Sequence, residues 1–292
     1  SANPAGLGRT VRLTATVNPS ITVGTIRFLD AGIELGTCSL SDGTCAFEIG
    51  TLSAGTHSLT AAYLGNSNTL ASTSAVLAQE IKVGASVALT ATVAQSTYGE
   101  AVGFVATVTT DDLGLATGTI ALMDGVTILD TCSLQGLDPN ACSLTTSAIV
   151  AGTRSITARY LGDAAYAPAT SAAVAQTVLQ AGSTTVLFGN ANASTYGDAV
   201  TFPVVVTTVD GSIATGSVSL SDGSTTVGSC LLSNGACEIT TSDLAGGSHS
   251  LTARFDGDAN HVGSVSAPVV QLVNQVGTTT TVAATPASAV YG

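Results

Sequence analysis

The fold is decided by the stretch Gly36-Thr37-Cys38-Ser39-Leu40-Ser41-Asp42-Gly43-Thr44-Cys45-Ala46-Phe47. Two short runs of β-compatible residues flank a Ser-Asp-Gly turn, and each run contains one cysteine. The same design returns within residues 131–144 and again within residues 229–239, so that these three segments contain all six cysteines of the chain. The pattern predicts a repeating unit that is marked by a pair of cysteines.

Other motifs recur in the same order. Residues 55–63, Gly-Thr-His-Ser-Leu-Thr-Ala-Ala-Tyr, match residues 152–160 and 247–255. The period is about 95 residues, which is the size of one self-sufficient domain rather than of a solenoid repeat. We predict a first repeat at 1–83, a second at 84–180 and a third at 181–276, followed by the first strand of a fourth repeat at 277–292.

Composition favours an all-β protein. The chain has 292 residues, of which 45% are hydrophobic and only 9% are charged. Thr, Ser or Gly interrupts every apolar run before it reaches 18 residues, so we expect no direct membrane insertion. The net charge of −12 argues against nucleic acid as a partner.

The second repeat shows the predicted plan most fully. Short alternating runs, with turn signals about every ten residues, predict seven strands and therefore a β-sandwich. In the third strand, Ile120 and Leu122 should face the core, while Ala121 should point away from it. No spacer rich in Pro or in Gly and Ser separates the repeats, so we expect the tandem sandwiches to form an extended rod.

The two ends differ from this plan. Leu7-Gly8 stands where the second repeat has Tyr98-Gly99, so the first repeat is expected to lack its own first strand. At the other end, Thr278 begins a surplus strand through residue 284, and Tyr291-Gly292 would open the next one. This surplus strand is either the first strand of a fourth repeat or a donor strand for a neighbouring chain.

These motifs resemble a known family. The segment 55–66, its relatives Tyr160-Leu161-Gly162-Asp163 and Phe255-Asp256-Gly257-Asp258, and the openings Tyr98-Gly99 and Tyr196-Gly197 are similar to bacterial immunoglobulin-like repeats of the third group. The resemblance covers essentially the whole chain. It implies a seven-stranded immunoglobulin-like sandwich, found in tandem in large secreted or surface-attached bacterial proteins including adhesins, and it implies no catalytic residues. Family members commonly have small apolar or Thr residues where this chain has its cysteines.

Three states of the cysteines were considered: disulfides within each segment, reduced thiols, and metal ligands. Two cysteines per repeat are too few for a metal cluster, and partners in different repeats would lie too far apart to bond. We therefore predict three disulfides that point into the core and hold the register of each hairpin, with no cysteine pair joining the two sheets. They would place the protein in an oxidising environment, extracellular or at the cell surface. The predicted pairs are Cys38–Cys45, Cys132–Cys142 and Cys230–Cys237.

Few residues are candidates for other chemistry. Asp163, Asp256 and Asp258 lie in Gly-Asp turns and are weak calcium candidates, but an aspartate that bonds its own turn backbone is the simpler explanation. One equivalent position holds a histidine, an arginine and a histidine in the three repeats, which predicts a solvated side chain. No Ser/His/Asp arrangement recurs, so we expect no enzyme and no cofactor. The lone sequon at Asn192 is interpreted as chance.

Three functional hypotheses follow. The first is a structural segment of an extracellular bacterial stalk or fibre. The second is a filament subunit in which the strand at 278–284 completes the first repeat of an identical chain. The third, a carbohydrate- or protein-binding adhesion module, would require an exposed aromatic cluster, and only 4% of the residues are aromatic. The expected partners are neighbouring repeats of the same or an identical chain.

Overall fold

The computed structural model describes residues 2–18, 24–189 and 193–283. These residues form β-strands and no helix, and hence no helix that could cross a membrane, which confirms the all-β prediction. The chain divides into two compact units. One comprises Ser1–Ser96, Ala101–Ile149 and Thr153–Thr177, and the other comprises Thr97–Glu100, Val150–Gly152 and Val178–Gly292.

The strands follow the three predicted repeats. Those of the first repeat are β1 (Ala5–Gly6), β2 (Val11–Thr16), β3 (Thr25–Asp30), β4 (Ile33–Ser39), β5 (Thr44–Ile49), β6 (Gly55–Tyr63), β7 (Ser72–Thr73) and β8 (Leu77–Lys82). Those of the second are β9 (Ala85–Ala91), β10 (Gln95–Thr97), β11 (Val102–Thr110), β12 (Thr117–Asp124), β13 (Thr127–Gln135), β14 (Ala141–Thr146), β15 (Gly152–Tyr160), β16 (Ala169–Thr170) and β17 (Val174–Leu179). Those of the third are β18 (Ser183–Leu187), β19 (Ser194–Thr195), β20 (Val200–Thr208), β21 (Ser217–Asp222), β22 (Thr225–Leu231), β23 (Ala236–Thr241), β24 (Gly247–Gly257), β25 (Val262–Val265) and β26 (Val269–Asn274).

Each repeat contains a larger and a smaller sheet. The larger sheets have the orders β1-β8-β6-β3-β4, β10-β17-β15-β12-β13 and β19-β26-β24-β21-β22, with β7, β16 and β25 pairing off these paths. The smaller sheets are β14-β11-β9 in the second repeat and β18-β20-β23 in the third. In the first repeat only β2 and β5 form the smaller sheet among the described residues.

Alternating side chains build the cores. Along β11, the inward positions are buried and the outward ones are more exposed, as the pleat of a strand requires. Ile120 and Leu122 of β12 are fully buried as expected, but Ala121 is also only 3% exposed. In the third repeat Phe202, Leu220 and Phe255 meet in one cluster, as do the buried residues of the first repeat.

Two elements per repeat were missing from the seven-strand plan. A two- or three-residue strand (β1, β10 or β19) pairs with the last strand of its repeat, and another pair-forming segment (β7, β16 or β25) follows the long sixth strand. Strands this short carry no readable alternation, so the sequence did not reveal them. A turn follows each of the first group, and its glycine (Gly8, Gly99 or Gly197) has a positive φ of 74–91° that favours glycine.

The C-terminal segment differs from the predicted strand. Residues 277–283 are exposed and have no strand pairing in this chain, and the side chain of Val282 is 97% exposed. Residue 284 and Tyr291-Gly292 lie outside the described residues, as does Asn192 of the sequon. The exact repeat boundaries stay predictions.

Candidate functional site

Each cysteine pair joins the two sheets of its repeat. In the first repeat, Cys38 lies on β4 of the larger sheet and Cys45 lies on β5 of the smaller sheet. The other pairs lie on β13 and β14 and on β22 and β23, which also belong to different sheets. All three pairs form disulfides, with Cα–Cα distances of 6.0, 6.2 and 6.0 Å.

This position corrects the expected hairpin. The strands β4 and β5 pair with β3 and β2, not with each other, and between them only Ser41 and Thr44 form an isolated bridge. The segment therefore turns a corner between sheets. The prediction that no cysteine pair joins the sheets was wrong, because alternation looks the same in paired strands and in consecutive strands of different sheets.

The disulfides lie at the margin of the core. Cys38 and Cys45 are partly buried and pack against the hydrophobic cluster of the first repeat, and Cys230 and Cys237 do so in the third. Each disulfide thus closes one lateral edge of a sandwich at a place where no backbone ladder links the two sheets.

The Gly-Asp turns anchor a loop at the end of each sandwich. One oxygen of Asp163 accepts the backbone N–H groups of Ala165 and Tyr166, and the other accepts both the N–H and the hydroxyl of Thr117, all at 2.8 Å. In the third repeat, Asp258 makes the equivalent set of contacts at 2.8–3.2 Å to Asn260, His261 and Thr215. The carboxylate ties the loop to the strand that precedes β12 or β21 in its sheet.

These contacts account for the titration of the two aspartates. Burial alone would raise the pKa of Asp258, but hydrogen bonds from Thr215 and His261 lower it to about 2. The pKa of Asp163 is lowered in the same way, against the effect of burial, by the donors of Thr117 and its own loop.

The calcium candidates therefore occupy two kinds of position. Asp163 and Asp258 point their oxygens at N–H and O–H donors, which is the pattern of a turn aspartate. Asp256 is exposed and pairs with Arg254 at 2.9 Å. Across the part of the chain that the structure describes, no group of three or more His, Cys, Asp or Glu side chains could hold a metal ion.

A basic residue is paired with an aspartate in every repeat. The Nδ1 atom of His57 lies 2.6 Å from Asp30, and its Nε2 atom lies 2.8 Å from the carbonyl oxygen of Ser53. The second repeat pairs Arg154 with Asp124 at 2.6 Å. The third repeat uses His249 with Asp222 at 2.7 Å and with the carbonyl oxygen of Ala245, in the same arrangement as the first.

The prediction of a solvated side chain at this position was wrong. His57 is 9% exposed, and both of its ring nitrogens face acceptors, so the protonated ring satisfies both. Burial would lower the pKa of His57, but the Asp30 and Ser53 contacts raise it above its ordinary value. The pKa of His249 is raised by Asp222 and then by the carbonyl of Ala245. The recurring aspartate that ends the third strand was the available signal.

A third histidine lies in a polar cluster. His261 is 3% exposed, with Nδ1 2.8 Å from Asp258 and Nε2 2.8 Å from the hydroxyl of Ser212. This order of atoms resembles a hydrolase triad. However, Asp210 also approaches Nε2, at 3.2 Å, so the serine does not face a base with a free acceptor. The second repeat has Tyr166 at the equivalent position, which fits a loop anchor.

An open groove runs along the first repeat. It has a volume of about 470 Å³ and lies between the free edge of β2 and the larger sheet, where it is bordered by β7. In the other repeats, β9 and β18 occupy the equivalent edge of β11 and β20. The apolar floor of the groove includes Leu13, Ala15, Ile26, Phe28, Leu59 and Tyr63.

A family model describes this architecture. The model of the bacterial Ig-like domain (group 3) matches residues 1–82, 78–179 and 187–274. The chain belongs to this family. The resemblance seen in the motifs is thereby confirmed, and three bacterial Ig-like domains follow one another in tandem.

Solved structures with similar folds come from several sources. The Escherichia coli adhesin FdeC is 14% identical, over 94% of this Ig-like chain and 95% of its own, with a TM-score of 0.31. The Yersinia pseudotuberculosis adhesin InvE is 13% identical over 63% and 58%, with a TM-score of 0.39. The ectodomain of mouse nectin-like molecule 4 is 11% identical over 96% and 99%, with a TM-score of 0.33. No curated protein matches the sequence.

Proposed function

We propose that this chain is a non-enzymatic structural segment of a secreted or surface-attached bacterial stalk or fibre. The observation that carries the proposal is that every bacterial Ig-like domain of the chain has its own disulfide between the two sheets. Structural disulfides persist in oxidising surroundings, and small sandwiches outside the cell gain stability from them. The buried aspartate pairs with His57, Arg154 and His249 and the anchored loops are internal supports and bind no substrate.

The proposal is tested by making the protein in an oxidising and in a reducing compartment of the same bacterium. We expect the folded product of the oxidising compartment to contain no titratable thiol and to unfold at a higher temperature than the reduced product. Equal stability of the two products would contradict a function in which the disulfides matter. Six titratable thiols in protein recovered from the oxidising compartment would contradict the location.

A second candidate function is a filament subunit that joins identical copies by strand addition. The observation that favours it is the open groove beside β2. An open sheet edge of this kind is a pairing template unless something covers it.

A further inference from the structure

The groove of the first repeat has the geometry of a strand acceptor. In the second and third repeats, Leu89 of β9 pairs with Ala106 and Leu187 of β18 pairs with Val204. Ala106 and Val204 each pair, on their other side, with the second cysteine of their repeat. In the first repeat the residue opposite that cysteine is Ala15, and no strand lies on its other side among the described residues.

A matching strand exists at the other end of the sequence. Gly84 precedes Tyr98 by the same fourteen positions that separate Gly182 from Tyr196 and Gly277 from Tyr291. This spacing aligns residues 275–284 with the segments that begin β9 and β18.

The aligned segment exposes what its relatives bury. Leu89 and Leu187 are 8% and 7% exposed, whereas Val282 at the same position is 97% exposed. At the start of the segment, Val83 and Ala181 are buried, whereas the equivalent residue Val276 is 53% exposed. Residues 275–284 therefore present a strand whose apolar face has no partner in this chain among the described residues.

The polar residues of this segment also fit the groove. In the third repeat, the hydroxyls of Ser183 and Thr185 contact the hydroxyl of Ser264 at 2.8 and 2.7 Å. Ser264 pairs with Phe255 as Ser72 pairs with Tyr63 in the first repeat. The second repeat has alanine or valine at all three positions, but the C-terminal segment has Thr278 and Thr280, which match the serine of the groove.

One further contact is available at the start of the segment. Gln180 donates from its side chain to the carbonyl oxygen of Asp258 at 2.8 Å, and Lys82 donates to the equivalent carbonyl of Asp163 at 2.6 Å. Gln275 is aligned with these residues, and the equivalent carbonyl in the first repeat belongs to Asn66.

We propose that residues 275–284 of one copy insert as a strand into the groove of the first repeat of a second copy. The inserted strand runs antiparallel to β2, with Val282 opposite Ala15 and Thr281 opposite Thr16, as β9 and β18 pair in the other repeats. This inference rests on the second candidate function and names its joint. Strand insertion from one copy to the next is a head-to-tail contact that extends into a fibre.

The first experiment measures association of the full chain by sedimentation velocity over a range of concentrations. We expect the weight-average mass of the wild type to rise with concentration, and Val282→Asp to weaken association at least 100-fold. The matched control is Val126→Asp, because Val126 is 96% exposed on a hairpin tip and should behave as the wild type does. A wild type that stays monomeric at all concentrations, or equal losses in both variants, would overturn the inference.

The second experiment fixes the register. Mixing a Thr16→Cys chain with a Thr281→Cys chain should give a disulfide-linked dimer, and a Thr14→Cys chain mixed with Thr281→Cys should give much less. Equal crosslinking at both positions, or a crosslink that forms within single copies of the double variant, would overturn the joint between copies. Either result would leave the effect of the disulfides on stability unaffected, so the structural function is judged separately.

Discussion

An aspartate at the end of the third strand governs the buried polar chemistry of each repeat. Asp30, Asp124 and Asp222 hold His57, Arg154 and His249 at 2.6–2.7 Å. Because both histidine nitrogens face acceptors, the folded state favours the protonated ring. The second repeat obtains the same contact from a guanidinium, which does not titrate near neutrality.

The first prediction follows from the raised pKa values of His57 and His249. Their contribution to stability is fully present below the ordinary pKa of about 6.5 and is lost as the pH rises through the higher folded-state pKa. Replacing both histidines with arginine should flatten this loss, as measured by the unfolding midpoint in urea across neutral pH. Arg154→His is the matched converse and should add a pH dependence to the second repeat. A wild type with no loss in this window would refute the pairing.

The second prediction concerns the loop anchor Asp258. Asp258→Asn should destabilise the third repeat by about 2–3 kcal/mol, because it removes charge-assisted hydrogen bonds from several donors. Asp256→Asn should change stability by less than about 0.5 kcal/mol, since that side chain is exposed. Thermal unfolding with calcium or with a chelator should give the same midpoint for the wild type. A calcium-dependent midpoint that Asp258→Asn abolishes would show a metal site instead.

The same aspartate sets an acid limit. The lowered pKa of Asp258 means that its contribution is present above the ordinary carboxyl pKa of about 4 and is lost as the pH falls towards about 2. The unfolding midpoint of the wild type should drop through this range more than that of Asp258→Asn. Parallel acid profiles for the two proteins would contradict this origin of the acid sensitivity.

At the scale of elements, local patterns were readable and pairing was not. Alternation placed Ile120 and Leu122 in the core, because the two faces of a strand meet different solvents. The partners of β4 and β5 depend on long-range registers that alternation does not encode, so the inter-sheet position of Cys38 and Cys45 was missed. The buried state of His57 depends in the same way on the pairing of β3 with β6.

The third prediction is that removing one disulfide weakens the seam between two sheets. The loops closed by the disulfides span 7 or 10 residues, so Cys38→Ala/Cys45→Ala should cost about 2–3 kcal/mol in the chain-entropy model. Chemical unfolding of the oxidised proteins measures this loss. The pair Cys132→Ala/Cys142→Ala serves as the comparison, and a loss near zero for both double variants would show that the seams are held without the disulfides.

At the scale of the whole molecule, the repeats are closed to different degrees. In the second and third repeats, a disulfide closes one edge of the sandwich and a first strand covers the other. In the first repeat, the disulfide is present and the opposite edge opens into the groove beside β2. The tandem order was predictable because its motifs repeat, whereas the groove required the three-dimensional arrangement of two sheets.

The central claim is that the disulfides make this tandem array durable, and limited proteolysis by a non-specific protease tests it most directly. The oxidised chain and the reduced, alkylated chain are digested side by side, and the first cleavage sites are mapped by mass spectrometry. We predict that the oxidised chain persists much longer, and that the reduced chain is first cut between the paired cysteines. Equal survival of the two forms, with early cuts elsewhere, would contradict the claim.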